Sequence, residues 1–212
     1  VGLLIARRKG DANTPGWNIT HLNHVMREKY NGFSQKVPGT SYRIGDRIII
    51  RKNLSLVQPP DETGYPAPTQ YVVNGDTGYI RQFSLKDQAD DNGSAGTIQS
   101  LLLELDDGRE LSFPAGAIES LSLAYAMTVH SAQGSEYQRV ISICVNGPPN
   151  FIHRGILFTA WSRAQKKLTV IGDLVSIVNI LKRPAPKRNS FLVEQTHALS
   201  LANLNTPIWE VK

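Results

Sequence analysis

The sequence predicts an α/β fold in which a parallel sheet flanked by helices is interrupted by a small β-rich insertion. Three observations carry that reading. Phe151 to Lys166 places Ile152, Ile156, Leu157 and Ala160 at helical spacing, and LTVIGD, Leu168 to Asp173, follows as a β-branched run closed by Gly172. The opening residues VGLLIARRKG are an apolar strand entering a basic turn, again followed by a helical pattern. Between these ends lie short apolar runs broken by Asn74-Gly75-Asp76 and Asp107-Gly108, which are turn signals.

In chain order, Ile19 to Tyr30 sets Ile19, Leu22, Val25 and Met26 on one helical face, with Asn18 or Thr20 as the cap. His21 and His24 sit three apart on it, but no third ligand follows, so a solvated face is expected and no metal site. Arg7, Arg8 and Lys9 make the preceding strand end basic. YRIGDRIII, Tyr42 to Ile50, and VVNGDTGYI, Val72 to Ile80, read as strands joined through Leu56 to Gln70, a loop with four prolines. Leu101 to Phe113 is a hairpin turning at Asp107-Gly108, and Lys86 to Gly96 is a polar, glycine-bearing loop. Together these strands suit a five-stranded barrel over residues 78–118. In RVISICV, Cys144 is expected to be a buried thiol in a reducing compartment. Asp173 to Leu181 is a helix expected to pack Leu174, Ile177, Val178 and Leu181. KRPAPKR, Lys182 to Arg188, is a basic linker, and Ser190 to Lys212 with Trp209 either packs back or meets another domain.

The chemistry lies in two phrases, TVHSAQGSEYQ at Thr128 to Gln138 and LFTAWSRAQKK at Leu157 to Lys167. They place Glu136 and Arg163 at the ends of two strands expected to be buried. Gly134 permits close backbone approach to a ligand. Glu136 can accept from a ribose hydroxyl, and Thr128, His130 and Ser131 are short polar groups suited to a nucleic-acid backbone. The planar, permanently charged guanidinium of Arg163 suits a phosphoryl group. Taken singly, Arg163 also reads as a dipole-favoured helix-end arginine and His130 as a half-buried structural histidine.

Taken together, the phrases resemble motifs V and VI of superfamily 1 helicases, T-x-H-x-x-Q/K-G-x-E followed by Y/F-T/V-A-x-[ST]-R-A. AYAMTVHSAQGSE, Ala124 to Glu136, is most similar to the RecD-like branch, superfamily 1B, which contains exodeoxyribonuclease V alpha subunits. There the phrase is AYAxTVHKSQGSE, so Ser131 stands where that family has lysine and Ala132 where it has serine. The departure removes one cation that can meet nucleic acid. Gly45-Asp46-Arg47, Lys52-Asn53 and Asn74-Gly75-Asp76 are similar to the same family's GDRVMxxKN and NGDxGxI. The resemblance implies a second RecA-like motor domain over residues 1–77 and 119–181, an inserted SH3-like barrel over 78–118 and a C-terminal extension over 182–212. It implies Arg163 as the catalytic γ-phosphate finger, Gln133, Gly134 and Glu136 on the nucleotide side, and Thr128, His130 and Ser131 on the strand. The implied reaction is ATP-dependent translocation 5′ to 3′ on single-stranded DNA, in repair, recombination, plasmid transfer or phage replication.

No GxxxxGK[ST] phosphate loop occurs, nor an acidic pair after an apolar strand to hold magnesium. ATP and Mg2+ are therefore expected mainly on an N-terminal RecA-like partner domain, with nuclease or helicase subunits as further partners. Val1 opens in a strand without methionine, as an excised piece would, and the isolated chain is expected not to hydrolyse ATP. The other reading is a non-hydrolysing module that binds nucleic acid or protein on a degenerate helicase domain. A net charge of +5, from 23 basic and 18 acidic residues in 212, permits phosphate neutralisation without requiring it. The sequence has no signal peptide or membrane-length apolar stretch, so the expected compartment is the cytoplasm.

Overall fold

The computed structural model describes residues 1–6, 18–60, 64–65, 68–86 and 97–186. Arg7, Arg8, Lys9, the loop 87–96 and the tail 187–212 with Trp209 lie outside the described residues. The elements are β1 (Gly2–Ile5), α1 (Ile19–Asn31), β2 (Arg47–Ile50), β3 (Leu54–Leu56), β4 (Gln70–Val72), β5 (Thr77–Leu85) and β6 (Ile98–Leu105). They continue with β7 (Glu110–Pro114), β8 (Leu121–Leu123), β9 (Met127–Thr128), β10 (Tyr137–Cys144), α2 (Arg154–Trp161), β11 (Ala164–Gly172) and α3 (Leu174–Lys182).

A parallel four-stranded sheet has the order β11-β10-β1-β9, as the helix-strand alternation predicts. All four residues of β1 are buried, because this strand is paired on both edges and covered on both faces. Alternation along the strand divides the core. Leu4 packs with Ile152, Ile156, Leu157, Ala160 and Ile180 of the α2–α3 face. Leu3 and Ile5 pack on the opposite face with Ile19, and Leu22 and Met26 of α1 close over them. Asn18 caps α1, its side chain accepting from the His21 amide at 3.0 Å.

The second sheet is antiparallel, in the order β7-β6-β5-β2-β8, with β3 and β4 pairing as a separate ribbon. Its core is Ile48, Ile50, Ile80, Leu101, Leu103, Leu111 and Phe113, the last with no exposure. The predicted hairpin is β6 and β7. The sheet reaches beyond residues 78–118, drawing in β2 and β8, because Ile48 and Ile50 need the apolar face that β5 and β6 present. Ile49, between them, points into the core of the parallel sheet, so a single strand serves both cores.

Three expectations are corrected. The helix over 151–166 shortens to α2: the His153 ring caps it by accepting from the Gly155 amide at 3.1 Å, and residues from Ala164 onward pair with β10 instead. β11 is parallel but not buried. It is the edge of the sheet, and eight of its nine residues are exposed. On α3, Leu174 is 73% exposed and the packing is done by Ile180 with Ile177, since Ile180 is the position turned toward α2 and the sheet. Cys144 is buried as expected, and that burial pushes its thiol up against the opposing pull of Ser142 and Trp161.

A carboxylate with no exposure ties the elements together. Asp46 accepts from the Arg43 amide at 2.8 Å, Asn31 Nδ2 of α1 at 2.8 Å and Tyr125 Oη at 3.0 Å. Burial and the Asp46 charge both raise the Tyr125 phenol, so it stays a donor. Nearby, Arg47 reaches both carboxylate oxygens of Asp106, and Thr77 Oγ1 donates to Asp106 at 2.5 Å. Partial burial works to raise the Asp106 carboxyl, and the Arg47 and Thr77 hydrogen bonds with the Arg47 charge outweigh it and hold it below the usual range. The folded pKa is thus the lower one, so this contribution is present above the ordinary aspartate value of about 3.9 and is lost as pH falls below it. Urea midpoints of wild type and Asp106→Asn are expected to differ near pH ~7 and converge toward pH ~3. A gap that does not change with pH contradicts this.

Candidate functional site

The loop from Thr128 to Glu136 is built by short local hydrogen bonds. After the two residues of β9, Thr128 Oγ1 accepts from the Ser131 amide at 3.1 Å and shares a hydrogen bond with Ser131 Oγ at 2.7 Å. Consecutive turns follow, Ala132 N to Thr128 O at 3.1 Å, Gln133 N to His130 O at 3.2 Å and Ser135 N to Ala132 O at 3.2 Å. Ala132, fully buried, pins the middle of the loop to the core, which leaves His130, Gln133 and Gly134 exposed around it. The His130 ring lies 5.6 Å from that of Phe151. Gly134 adopts φ +85°, a conformation costly for residues with a Cβ, and the chain turns there toward Ser135, Glu136 and β10.

Arg163 sits between the end of α2 and β11, half-buried. Its Nε donates to Thr159 O at 3.3 Å, Nη1 to Ser135 O at 3.5 Å and Nη2 to Ser162 Oγ at 3.4 Å. Among the described residues its partners are carbonyl and hydroxyl oxygens, none a carboxylate, so its charge is not neutralised locally. The Tyr137 amide donates to Arg163 O at 2.9 Å. Arg163 therefore backs the 128–136 loop directly, although the two lie far apart in sequence.

The remaining residues divide between two neighbouring clefts. One, of about 420 Å³, is lined by His130, Ser131 and Gln133 together with Arg51, Asn74 and Gly75. The other, of about 370 Å³, takes Ser135, Glu136 and Tyr137 with Asp76, Thr77, Asp106 and Asp107. Glu136 Oε2 accepts from Gln165 Nε2 at 2.9 Å. Arg163 lines neither cleft, and Thr128 stands behind the first through its contact with Ser131. Among the described residues no cluster of three or more histidine, cysteine, aspartate or glutamate side chains is placed to hold a metal ion. His21 and His24 are exposed. Sequence reasoning did not single out Arg51, Gln165, Asp106 or the Asn74-Gly75 turn as site residues. Arg51 follows the apolar run of β2 directly, and nothing in the local sequence says where its side chain goes.

Residues 123–171 match the family of the UvrD-like helicase C-terminal domain. The RecBCD enzyme subunit RecD of Mycobacterium tuberculosis is 30% identical over 183 residues, 86% of this chain and 26% of that protein. The chain is thus similar to RecD-like helicases, and one stretch of it to a helicase C-terminal domain. The ATP-dependent RecD2 DNA helicase of Deinococcus radiodurans is 29% identical over 111 residues, 50% of this chain and 16% of that protein. The chain thus spans about a quarter or less of these RecD-like relatives. A Pif1 helicase from Bacteroides, solved with ADP-AlF3 and ssDNA, aligns over 95% of this chain and 46% of its own, at 14% identity and a TM-score of 0.47. Thr128, His130, Ser131, Gln133, Gly134, Glu136 and Arg163 all fall within the family-matched stretch.

The glycine conformation gives a direct test. A Cβ at Gly134 meets nothing within 4 Å, so Gly134→Ala incurs only backbone strain, about 1–2 kcal/mol of stability by chemical denaturation. Gly78→Ala in β5 is expected to cost more, because its Cβ collides with the Glu104 backbone. Equal costs contradict the assignment of strain alone to Gly134.

Proposed function

We propose that this chain is the second motor domain of an ATP-dependent DNA helicase that moves 5′ to 3′ along single-stranded DNA. One observation supports the reading best. Arg163 and the 128–136 loop, the residues of both motif phrases, are joined by the Ser135 carbonyl contact and the Tyr137 amide bond, so a change at one phrase is felt at the other. An arginine whose partners are neutral oxygens can exchange them for a phosphate at little cost, whereas one locked to a carboxylate cannot.

In this reading Arg163 stabilises charge developing on the γ-phosphate of ATP, worth on the order of 10³ or more in rate. Gln133, Gly134 and Glu136 face the nucleotide, and Thr128, His130 and Ser131 hold the strand. ATP and Mg2+ are held mainly by an N-terminal RecA-like domain, and closure of that domain on this one brings Arg163 to its substrate. Residues 78–118, which supply most of the second sheet, are the inserted SH3-like barrel, acting as a pin or clamp on DNA. The chain by itself does not hydrolyse ATP. A role in repair or recombination, with nuclease or helicase subunits as partners, fits the RecD relationship. Among the described residues no helix is long and apolar enough to cross a membrane.

The test is single-stranded-DNA-stimulated ATPase of the protein carrying both motor domains, comparing wild type with Arg163→Ala. A loss of about 10³-fold at unchanged folding is expected. A loss under about tenfold removes Arg163 from the finger role, and an absence of turnover in the wild type favours the non-hydrolysing module.

A further inference from the structure

The two helices on one face of the parallel sheet leave apolar side chains uncovered. On α3, Leu174, Val178 and Leu181 recur at i, i+4 and i+7, so they form a single stripe, and all three are exposed. On α2, Phe158 is 74% exposed. A groove of about 420 Å³ joins the helices, lined by Arg154, Gly155, Phe158, Trp161, Leu181 and Ala185, of which Arg154 alone is charged. The edge strand continues the surface. Leu168 and Val170 of β11 are register partners of Val140 and Ser142, which belong to the α2 side through the core and through the Trp161 Nε1 bond to Ser142 Oγ at 3.2 Å. Both are exposed, and contiguous apolar surface of this kind marks a contact site.

The path of the chain points to the occupant. Where α3 ends, the Arg154 amide donates to Arg183 O at 3.2 Å, and Arg183 Nη1 donates to Gly147 O at 3.0 Å and to Ile152 O at 3.2 Å. The exit from α3 is thereby held against the start of α2, and Ala185 enters the groove. Pro186 is the last described residue of this stretch. Phe191 follows five residues later, so it lies at most about 17 Å from Pro186 even on a fully extended chain. There the sequence turns apolar again. In SFLVEQTHALSLANL, Ser190 to Leu204, the residues Phe191, Leu192, Ala198, Leu199 and Ala202 share one side of a helical projection, with Ser190 a capping residue type before it and Pro207 beyond it. Glu194 is the one charged residue of that segment, opposite in sign to Arg154 of the groove.

We propose that residues 190–204 dock as a helix on this face, setting Phe191, Leu192 and Leu199 into the groove and along the α3 stripe, with Glu194 toward Arg154. The segment is then part of the domain and not a tether, and the chain itself covers the α2 side of its sheet. The inference needs no ligand and no part of the helicase reading. Since α2 leads directly into Ser162 and Arg163, the docked segment also braces the helix that ends at the candidate finger.

The experiment is hydrogen exchange of the 212-residue chain, read by peptide mass spectrometry, for wild type, Phe158→Asp and Val57→Asp, the last an exposed apolar residue beside β3 in the other part of the molecule. Amides of residues 190–204 are expected to exchange at least about tenfold more slowly in the wild type than in a free peptide of that sequence, to return to within about twofold of it in Phe158→Asp, and to stay protected in Val57→Asp. Wild-type exchange at the free-peptide rate overturns the proposal. So does protection that Phe158→Asp leaves intact, which puts the segment on another surface, and protection that vanishes on dilution, which gives the face to a second copy of the chain. Slowed exchange of α2 and α3 only in the protein carrying both motor domains gives the face to the other domain and likewise overturns it. If peptides of β1 and β10 show Phe158→Asp to be unfolded, Leu199→Asp decides from the opposite side: faster exchange in α2 and α3 is expected, and unchanged exchange there overturns the docking.

Discussion

Burying the Asp46 carboxylate is the constraint from which the arrangement of this molecule follows. A charge removed from water is costly unless its lone pairs are filled, and here they are filled by three elements at once: the Arg43 turn, the Asn31 side chain near the end of α1, and the Tyr125 hydroxyl. Each donor is held to one place by the carboxylate, so the entry into β2, the helix over the parallel sheet and the link from β8 to β9 are mutually fixed. Asn23 repeats the arrangement one residue further on, exchanging a 2.9 Å pair of hydrogen bonds with the backbone of Ala126. The segment that leads into the 128–136 loop is therefore held at two consecutive residues, Ala126 directly by α1 and Tyr125 through Asp46.

That clamping explains why the 128–136 loop can be short on regular structure and still well placed. β9 contributes only Met127 and Thr128 to the sheet, too little to orient the following residues to Glu136 by ladder bonds. Position comes instead from Tyr125 and Ala126 before the loop, from Ala132 buried within it, and from Arg163 against Ser135 behind it. Ile49 adds the matching constraint from the other side, because a strand of the second sheet places a side chain in the first sheet's core. The clefts flanked by His130 and by Glu136 both use the turn at Gly75, so each has one wall from either sheet.

What the sequence disclosed follows from the range of each signal. Periodicity and capping act within a few residues, and they identified α1 with Asn18 as one of its two candidate caps, the hairpin at Asp107-Gly108 and the apolar runs of β1 and β10. The motif phrases singled out the loop and Arg163 as candidates, since their spacing is itself local, and the structure brings the two together. Pairing between distant segments left no such trace. Nothing near Arg51 indicates Ser131, and nothing in Gly45-Asp46-Arg47 reveals that Asp46 is the buried member while Arg47 turns outward to Asp106. The apolar character of β11 suggested a covered strand, but apolar composition reports propensity and not position, and an edge strand can carry the same residues. On α3 the apolar residues run nearly all round the helix, so periodicity could not choose between Leu174 and Ile180 as the packed position.

Hydrogen exchange of the Asp46→Asn variant, read by peptide mass spectrometry, tests the central claim most directly. Asparagine keeps the size and loses the charge and one acceptor, so its NH2 group faces either the Arg43 amide or the Asn31 and Tyr125 donors, and one side of the network is left unpaired. If Asp46 organises the loop, exchange rises in the peptide covering residues 124–135 as well as in the neighbourhood of residues 31–46. If the added exchange is confined to residues 31–46, the carboxylate serves its own turn alone, and the loop is placed by other contacts.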